Sequence, residues 1–530
     1  MENLRISGRV RGLLLPVVIV LLGLAYYVPW IQDAPGFVGD DFYLIEQSID
    51  EPLPSIAGAG ESLYFSPFRP LFMFSLHVNH LLAGSHAPGY LYVNLLLFIA
   101  AGLVSSVLIL RLQRDFPGRT SPMTAAFAVV LFLTHAALFY HPLWIAQRTE
   151  TLMLLFWLGA LYVTCLYIRR PGPALYGAVI LLYLLSLLSK STGLHFPLIF
   201  IGLHLLYRFA RSPVSVGYHV ILRRSLPLLL IMAGYLFLRT AFDPAAEPLP
   251  LAWLMKKPFS IVGMTVAAVY PPLAELLYAV AGYDVVFAVI ATIVLTAAVM
   301  IPLLWYSTKR TALLIIAGMY LATFFPRIMA WSDPRTLSVQ IVFLIVAAAV
   351  VLLRMRPPWR YAIFGLLLTS HILAGTNDMN AWIARETKTE LQRYAERLYA
   401  GELDGVTAVF SEAHAQNLLP YQLYYFRYGT FGLDSNARGA GYEYYLKPFS
   451  RRTIPEVAFL GARTVRMRMT DERMDLHYTE PLYPDSTVAM LHPERLSEQG
   501  SAAEVTLRVA TPRDRWAYLV ILPDTVIAVK

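Results

Sequence analysis

Apolar positions over the first 376 residues run together instead of alternating with polar ones. The runs fall near residues 12–31, 89–110, 122–140, 151–168, 173–189, 193–207, 225–241, 285–306, 311–325, 337–353 and 361–375. Stretches such as "GLLLPVVIVLLGLAYYVPWI" (Gly12–Ile31) and "VVFAVIATIVLTAAVMIPLLWY" (Val285–Tyr306) have the roughly 20 residues that a helix needs to cross about 30 Å of hydrocarbon. The pattern predicts a polytopic α-helical membrane region of about 11 transmembrane helices over residues 1–376. The first run is long for a signal peptide and lacks a small-residue cleavage site, so it is read as a retained helix. The stretch "SIVGMTVAAVYPPLAELLYAV" (Ser260–Val280) is apolar but interrupted by Pro271-Pro272 and carries Glu275. Within 252–283 an in-plane or re-entrant segment is favoured over a further span.

From Asn377 to Lys530 the pattern changes. No run is long enough to span, and charges are frequent. "NAWIARETKTELQRYAERLYAGEL" reads as a helix, while "GVTAVFSE", "AEVTLRVA" and "AYLVILPDTVIAV" read as strands. Residues 377–530 are therefore expected to form a C-terminal soluble domain, α/β or α+β, outside the membrane. No internal repeat or low-complexity tract marks it.

Composition agrees with this division. The chain is 57% hydrophobic and only 15% charged, against about a quarter charged in soluble domains. Charge adds orientation. With the N-terminus placed inside and the spans alternating, the inside segments hold 17 basic residues against two acids, Glu2 and Asp115. The outside segments before residue 377 hold eight basic residues and 13 acids. Basic residues collect on the cytoplasmic side of membrane proteins, so the N-terminus is read as inside and the C-terminus as outside. The net charge of +8 is thereby a topology signal. Nucleic-acid binding is not expected, since no basic groove interleaved with aromatics accompanies it. A single cysteine, Cys165, excludes disulfides and Cys-based metal sites within one chain. No GxxxxGK[ST], GxGxxG or GxSxG pattern is present, which leaves nucleotide hydrolysis and a nucleophile elbow without support.

This orientation gathers the unusual polar residues on the outer face. The first outer loop, 32–88, contains "GFVGDDFYLIEQ" (Gly36–Gln47), with Asp40 and Asp41 adjacent, and also Arg69. The next outer segment holds His141, Arg148 and Glu150, and later outer turns carry Lys190 and Arg335. Ionisable groups at a membrane edge are costly unless paired or used. The adjacent acids could cap a helix, bind a cation or move a proton. An acid beside several cations suggests that the acid takes a proton from a hydroxyl while the cations hold a phosphate as it leaves. A sugar on a polyprenyl phosphate, with its tail in lipid and its head at the surface, meets that description and needs no nucleotide.

Four stretches carry a resemblance, in order along the chain: "GFVGDDFYLIEQ"; "FRPLFMFSLHVNHLLAGSHAPGYLYVNLLL" (Phe68–Leu97); "LFLTHAALFYHPLWIAQRTETL" (Leu131–Leu152); and "LLSKSTGLHFPL" (Leu187–Leu198). They resemble the GT-C glycosyltransferases of the protein O-mannosyltransferase type, most of all bacterial relatives of the transmembrane family that carries tetratricopeptide repeats in eukaryotes. "DPRTLS" around Arg335 resembles an arginine-bearing outer turn of that family. Four positions depart from the family pattern: Tyr140 and Ser191 stand where glutamate is usual, Ala136 where proline is, and Phe98 where histidine is common. Sugar and acceptor accordingly stay open.

The resemblance implies an inverting transferase on the outer face. Asp41 or Asp40 would be the general base. Lys190, Arg335 and Arg69 would bind the donor phosphate, and Arg148, Glu150 and His141 would position substrate. It implies no cofactor. Two acids and nearby histidines could hold a divalent cation, but that branch generally uses none, so no metal is expected. The implied partners are a polyprenyl-phosphate-linked sugar, membrane lipids, and a protein, lipid A or glycan acceptor. The implied location is a bacterial inner membrane, with the site on the periplasmic side. A transporter or flippase for a lipid-linked glycan, and a membrane-bound sensor, are the alternatives.

Overall fold

The structure is a computed structural model. It describes residues 8–34, 69–84, 86–116, 120–210, 217–242, 310–324 and 337–386. It also describes positions 41, 44, 45 and 48 of the first long loop and nine strands between residues 406 and 529. Two compact units result: Met1–Gly36 with Ser48–Ile383, and Phe37–Gln47 with Ala384–Lys530.

The first unit is helical. Its helices are α1 (Gly8–Gln32), α2 (Pro70–Ala83), α3 (Ala87–Asp115), α4 (Pro122–Leu133), α5 (Tyr140–Leu143), α6 (Arg148–Arg169), α7 (Pro173–Ser189), α8 (Phe196–Ala210), α9 (Tyr218–Phe242), α10 (Arg310–Ala322), α11 (Ser338–Val351) and α12 (Pro357–Glu386). Several start as their sequence dictates. Pro70, Pro122 and Pro173 open α2, α4 and α7, where proline's missing N–H costs nothing. Ser121 caps α4 by accepting from the Thr124 N–H at 3.2 Å. Gly84 ends α2 at φ +53°, a conformation that side-chain-bearing residues resist.

Among the described residues, four helical stretches are long and apolar enough to cross a membrane: Leu15–Gln32, Ala87–Asp115, Ile145–Arg169 and Tyr218–Leu238. A fifth is formed if Pro122–Leu133 and Ala136–Leu143, bent by 56° at their junction, count as one span. The side chains turned outward are apolar as well: Leu82 is 81% exposed, Phe237 72% and Leu81 70%. An outer surface of this kind suits hydrocarbon rather than water, and the chain is an integral membrane protein. The run at 285–306 and the stretch 252–283 lie outside the described residues. α2 lies within the stretch read as the first outer loop and packs along α3 and α7, burying Phe72, Met73, Leu76 and Asn79.

The core centres on α3, which packs against α1, α4, α6 and α11. Phe98 lies at its middle, with ring centroids 6.1 Å from Tyr27, 4.8 Å from Phe132 and 5.3 Å from His141. The run 122–140 does not continue as one helix. α4 stops at Leu133, and the chain passes through two 3₁₀ turns, Ala136–Leu138 and Ile145–Gln147, before α6. Irregular backbone at this depth requires internal partners. Tyr27 donates to the Leu133 carbonyl at 2.6 Å and Asn94 to the Trp144 carbonyl at 2.9 Å.

In the second unit a mixed six-stranded sheet has the order β6-β5-β2-β1-β8-β9, and a three-stranded antiparallel sheet the order β3-β4-β7. The strands are β1 (Val406–Ser411), β2 (Tyr444–Pro448), β3 (Glu456–Gly461), β4 (Thr464–Arg468), β5 (Met474–Tyr478), β6 (Ser501–Ala502), β7 (Glu504–Arg508), β8 (Ala517–Ile521) and β9 (Val526–Val529). β1 is central and parallel to both β2 and β8, so Val409 stands opposite Tyr445 on one side and Leu519 on the other. The single run expected at 517–529 is two antiparallel strands, β8 and β9. α12 passes through residues 376 and 377 unbroken, and the longer segment of the second unit starts at Ala384. Of the helix expected at 380–403, the part after Glu386 lies outside the described residues.

Candidate functional site

Four successive residues open α6, and all are polar and buried: Arg148 at 0%, Thr149 at 2%, and Glu150 and Thr151 at 0% exposure. Successive residues point about 100° apart around a helix, so four of them face all sides. Each has a different neighbour. Arg148 reaches α2 and α3, Thr149 reaches the end of α7, Glu150 reaches Lys190 and α11, and Thr151 reaches α5.

The Arg148 guanidinium donates from Nε to Asn94 Oδ1 at 2.6 Å and from Nη1 to the Ser75 carbonyl at 3.2 Å. Its Nη2 donates to Asn79 Oδ1 at 2.6 Å and to the Tyr90 carbonyl at 2.9 Å. Three nitrogens of a planar fork thus tie α6 to α2 and α3. Tyr90 is fully buried and closes the α2–α3 turn by donating to the Gly84 carbonyl at 2.9 Å, with His80 Nδ1 at 3.1 Å.

Glu150 is paired with Lys190, Oε1 to Nζ at 3.0 Å. Thr192 donates to its Oε2 at 3.2 Å, and Ser338 lies at 3.5 Å. The Glu150 side chain is 0% exposed and that of Lys190 13%. Each charge also suits its own helix end. Glu150 is in the first turn of α6, and Lys190 caps the C-terminus of α7, where the peptide dipoles favour an anion and a cation respectively. Neighbouring hydroxyls bring the two ends together. Thr149 donates to the Ser189 carbonyl at 2.7 Å, one of the last-turn carbonyls of α7 that lack a helical partner. Ser186 donates to the Met153 carbonyl at 3.3 Å. A 3₁₀ turn, Ser191–His195, then folds Thr192 toward Glu150. Gly193 makes that fold possible, because a Cβ there would lie 2.5 Å from Ser186 Oγ.

His141 is buried, its Nδ1 2.8 Å from Thr151 Oγ1, while Thr151 donates to the Gln147 carbonyl at 3.2 Å. Its Nε2 is buried without a hydrogen-bond partner among the described residues. Arg69 occupies the N-cap position of α2 and accepts, through its carbonyl, from the Met73 N–H at 3.1 Å. Asp41 is helical and buried, and belongs to the second unit. Asp40 and Arg335 lie outside the described residues. Of the positions marked out in the sequence, the fold brings Glu150 to Lys190 and sets His141 against Thr151, on the first turn of the helix that Arg148 opens.

Thr149, Thr151, Thr192 and Ser338 were not among the residues singled out from the sequence. Hydroxyls leave a weak signal there, although Ser338 closes the "DPRTLS" stretch three residues after Arg335. Among the described residues no three His, Cys, Asp or Glu side chains gather as metal ligands.

A second ionic cluster lies at the far ends of α3 and α6. Asp115, its side chain 0% exposed, accepts from Arg111 at 2.9 Å, Arg169 at 2.7 Å and Tyr207 at 2.5 Å. It fastens α3, α6 and α8 about 33 Å from Arg148 along the 22-residue α6.

No family model and no curated protein matches the sequence. Among solved structures the chain is similar to ArnT from Cupriavidus metallidurans bound to undecaprenyl phosphate. That similarity has 14% identity and a TM-score of 0.45, covering 77% of this chain and 84% of that one. It is also similar to the same protein in its apo state, at 16% identity and a TM-score of 0.35, over 79% of this chain and 85% of that one.

Proposed function

We propose that the chain is an integral-membrane glycosyltransferase that moves a sugar from a polyprenyl phosphate to an acceptor hydroxyl. The observation that carries this reading is the Glu150–Lys190 pair, which holds a cation at one end of the helical unit, in a buried polar layer, with part of its side chain open. A fixed ammonium at that depth matches a phosphate whose tail lies in lipid. The ordered motifs from Gly36 to Leu198 supply the rest of the reading. The acceptor oxygen attacks the anomeric carbon and its proton passes to Asp41 or Asp40. The bond from that carbon to the phosphate oxygen breaks, and the polyprenyl phosphate leaves with the electron pair. One displacement inverts the anomeric configuration. Lys190, with Arg335 and Arg69, meets the charge that grows on the leaving phosphate. The charge asymmetry puts this chemistry on the outer face, the periplasmic side if the membrane is a bacterial inner membrane. Protein, lipid A and glycan hydroxyls fit the acceptor role.

The test is transfer by the full chain in lipid vesicles supplied with a polyprenyl-phosphate sugar. Losing the base lowers turnover by about 10²–10⁴-fold, so one of Asp41→Asn and Asp40→Asn abolishes measurable transfer while insertion is unchanged. Full activity in both variants and in the double variant would sink the mechanism. The bend between α4 and α5 favours a second reading, a lipid-linked glycan transporter, because transporters use broken helices. Passage of labelled donor across the vesicle without a new glycosidic bond would select it.

A further inference from the structure

We infer that Glu150 is a positioning residue that acts through Lys190, not a substrate ligand. The inference deepens the proposed function and rests on it. Both oxygens of the carboxylate are taken by protein groups, Oε1 by Lys190 and Oε2 by Thr192 and Ser338. The side chain is fully buried, so it offers no face to a sugar. Three separate elements hold it: the first turn of α6, the Ser191–His195 turn and the start of α11.

Lys190 has more conformational choice of its own. Its backbone leaves the helix at φ −161° and ψ 141°, its long stem has many rotamers, and an ammonium left to itself extends toward water. Glu150 selects one of those rotamers, at 3.0 Å. The chemistry gives that selection a use. The donor is a phosphodiester with one negative charge, and the departing phosphate takes on a second. A cation gains most from being aimed in advance at the atom where charge develops. Glu150 also balances the Lys190 charge before the donor arrives, which limits the cost of keeping the ammonium buried.

The experiment is a double-mutant cycle on the full chain in nanodiscs, read on undecaprenyl phosphate binding and, separately, on transfer kinetics. Expected for Glu150→Gln is binding about fivefold weaker and kcat about tenfold lower, with donor KM changed by less than about twofold, as for a contact realised mainly in the transition state. In the Lys190→Met background the same substitution changes neither reading, because a residue acting through Lys190 has nothing left to act on. Losses that add in the double variant, or a fully active Glu150→Gln, overturn the positioning role while leaving the glycosyltransferase reading intact. Unchanged binding in Lys190→Met overturns the phosphate role and the inference with it. Thr192→Val provides an independent arm should Glu150→Gln not fold. It removes the shorter of the two hydroxyl contacts to Oε2 and is expected to weaken binding about twofold to fivefold, only where Lys190 is present. The unfolding midpoint is followed alongside, since a merely structural pair would move that midpoint and leave binding and kcat alone.

Discussion

Arg148 illustrates how far the meaning of a side chain depends on what surrounds it. From the sequence, Arg148 could pair with Glu150 across a turn or position substrate, and both readings stay open. Packing gives it acceptors 54 and 69 residues away, Asn94 and Asn79, and two backbone carbonyls. Removing the fork would strand these acceptors in the interior, at about 1–3 kcal/mol for each group left unsatisfied. Arg148→Met is therefore expected to cost about 3 kcal/mol or more in denaturant unfolding of the micellar protein. Arg148→Lys should recover only a minor part, because an ammonium cannot span the same acceptors. Full recovery with lysine would show that charge alone matters. The Glu150–Lys190 pair carries the same lesson. Both residues stood out in the sequence, whereas their pairing across 40 positions did not, since nothing local to either one encodes the approach of α6 to α7.

The junction between α7 and α8 is the element on which the site most depends. α7 ends at Ser189, Lys190 is extended, and the following 3₁₀ turn doubles back so that Thr192 meets Glu150. The "SKSTG" stretch reads as an interruption between two apolar runs, but its geometry comes from Gly193 lying against Ser186. Gly193→Ala should push the turn away and destabilise the protein by about 1–3 kcal/mol, the usual range for overpacking. Ser186→Ala in the same chain should restore most of that, because the neighbouring Cβ would then lie at an ordinary 3.5 Å. Thermal unfolding of the two variants compares them, and a double variant no better than Gly193→Ala would refute the proposed clash. The break after α4 was equally hidden. Residues 122–140 are apolar enough for one continuous helix, and only tertiary partners such as Tyr27 and Asn94 make the interruption affordable in free energy.

Across the helical unit, two buried ionic clusters mark opposite ends of α3 and α6: Arg148, Glu150 and Lys190 at one, Asp115 with Arg111 and Arg169 at the other. The charge asymmetry predicts that the Asp115 end faces the cytoplasm. Cysteines placed at exposed His86 and Pro171 test this, since the native Cys165 is buried. An impermeant thiol reagent added outside sealed cells should label His86→Cys, and should reach Pro171→Cys only after permeabilisation. The reverse pattern would invert the topology. Much of this scale was legible beforehand. A long apolar run must satisfy its own backbone hydrogen bonds in lipid, so it folds as a helix whatever its neighbours are, and basic residues between runs bias which side they occupy. The first is a local property, and the sequence by itself determined the helical runs, together with strands within residues 405–412, 503–510 and 517–529 of the C-terminal segment. Which polar groups meet is decided by helix faces that approach one another across tens of residues, such as Ser338 reaching Glu150 over 188 positions. A hydroxyl, an amide or a carboxylate accepts whichever donor packing delivers, so the pairing of Glu150 with Lys190 and the tethering of Arg148 belong to the tertiary structure alone.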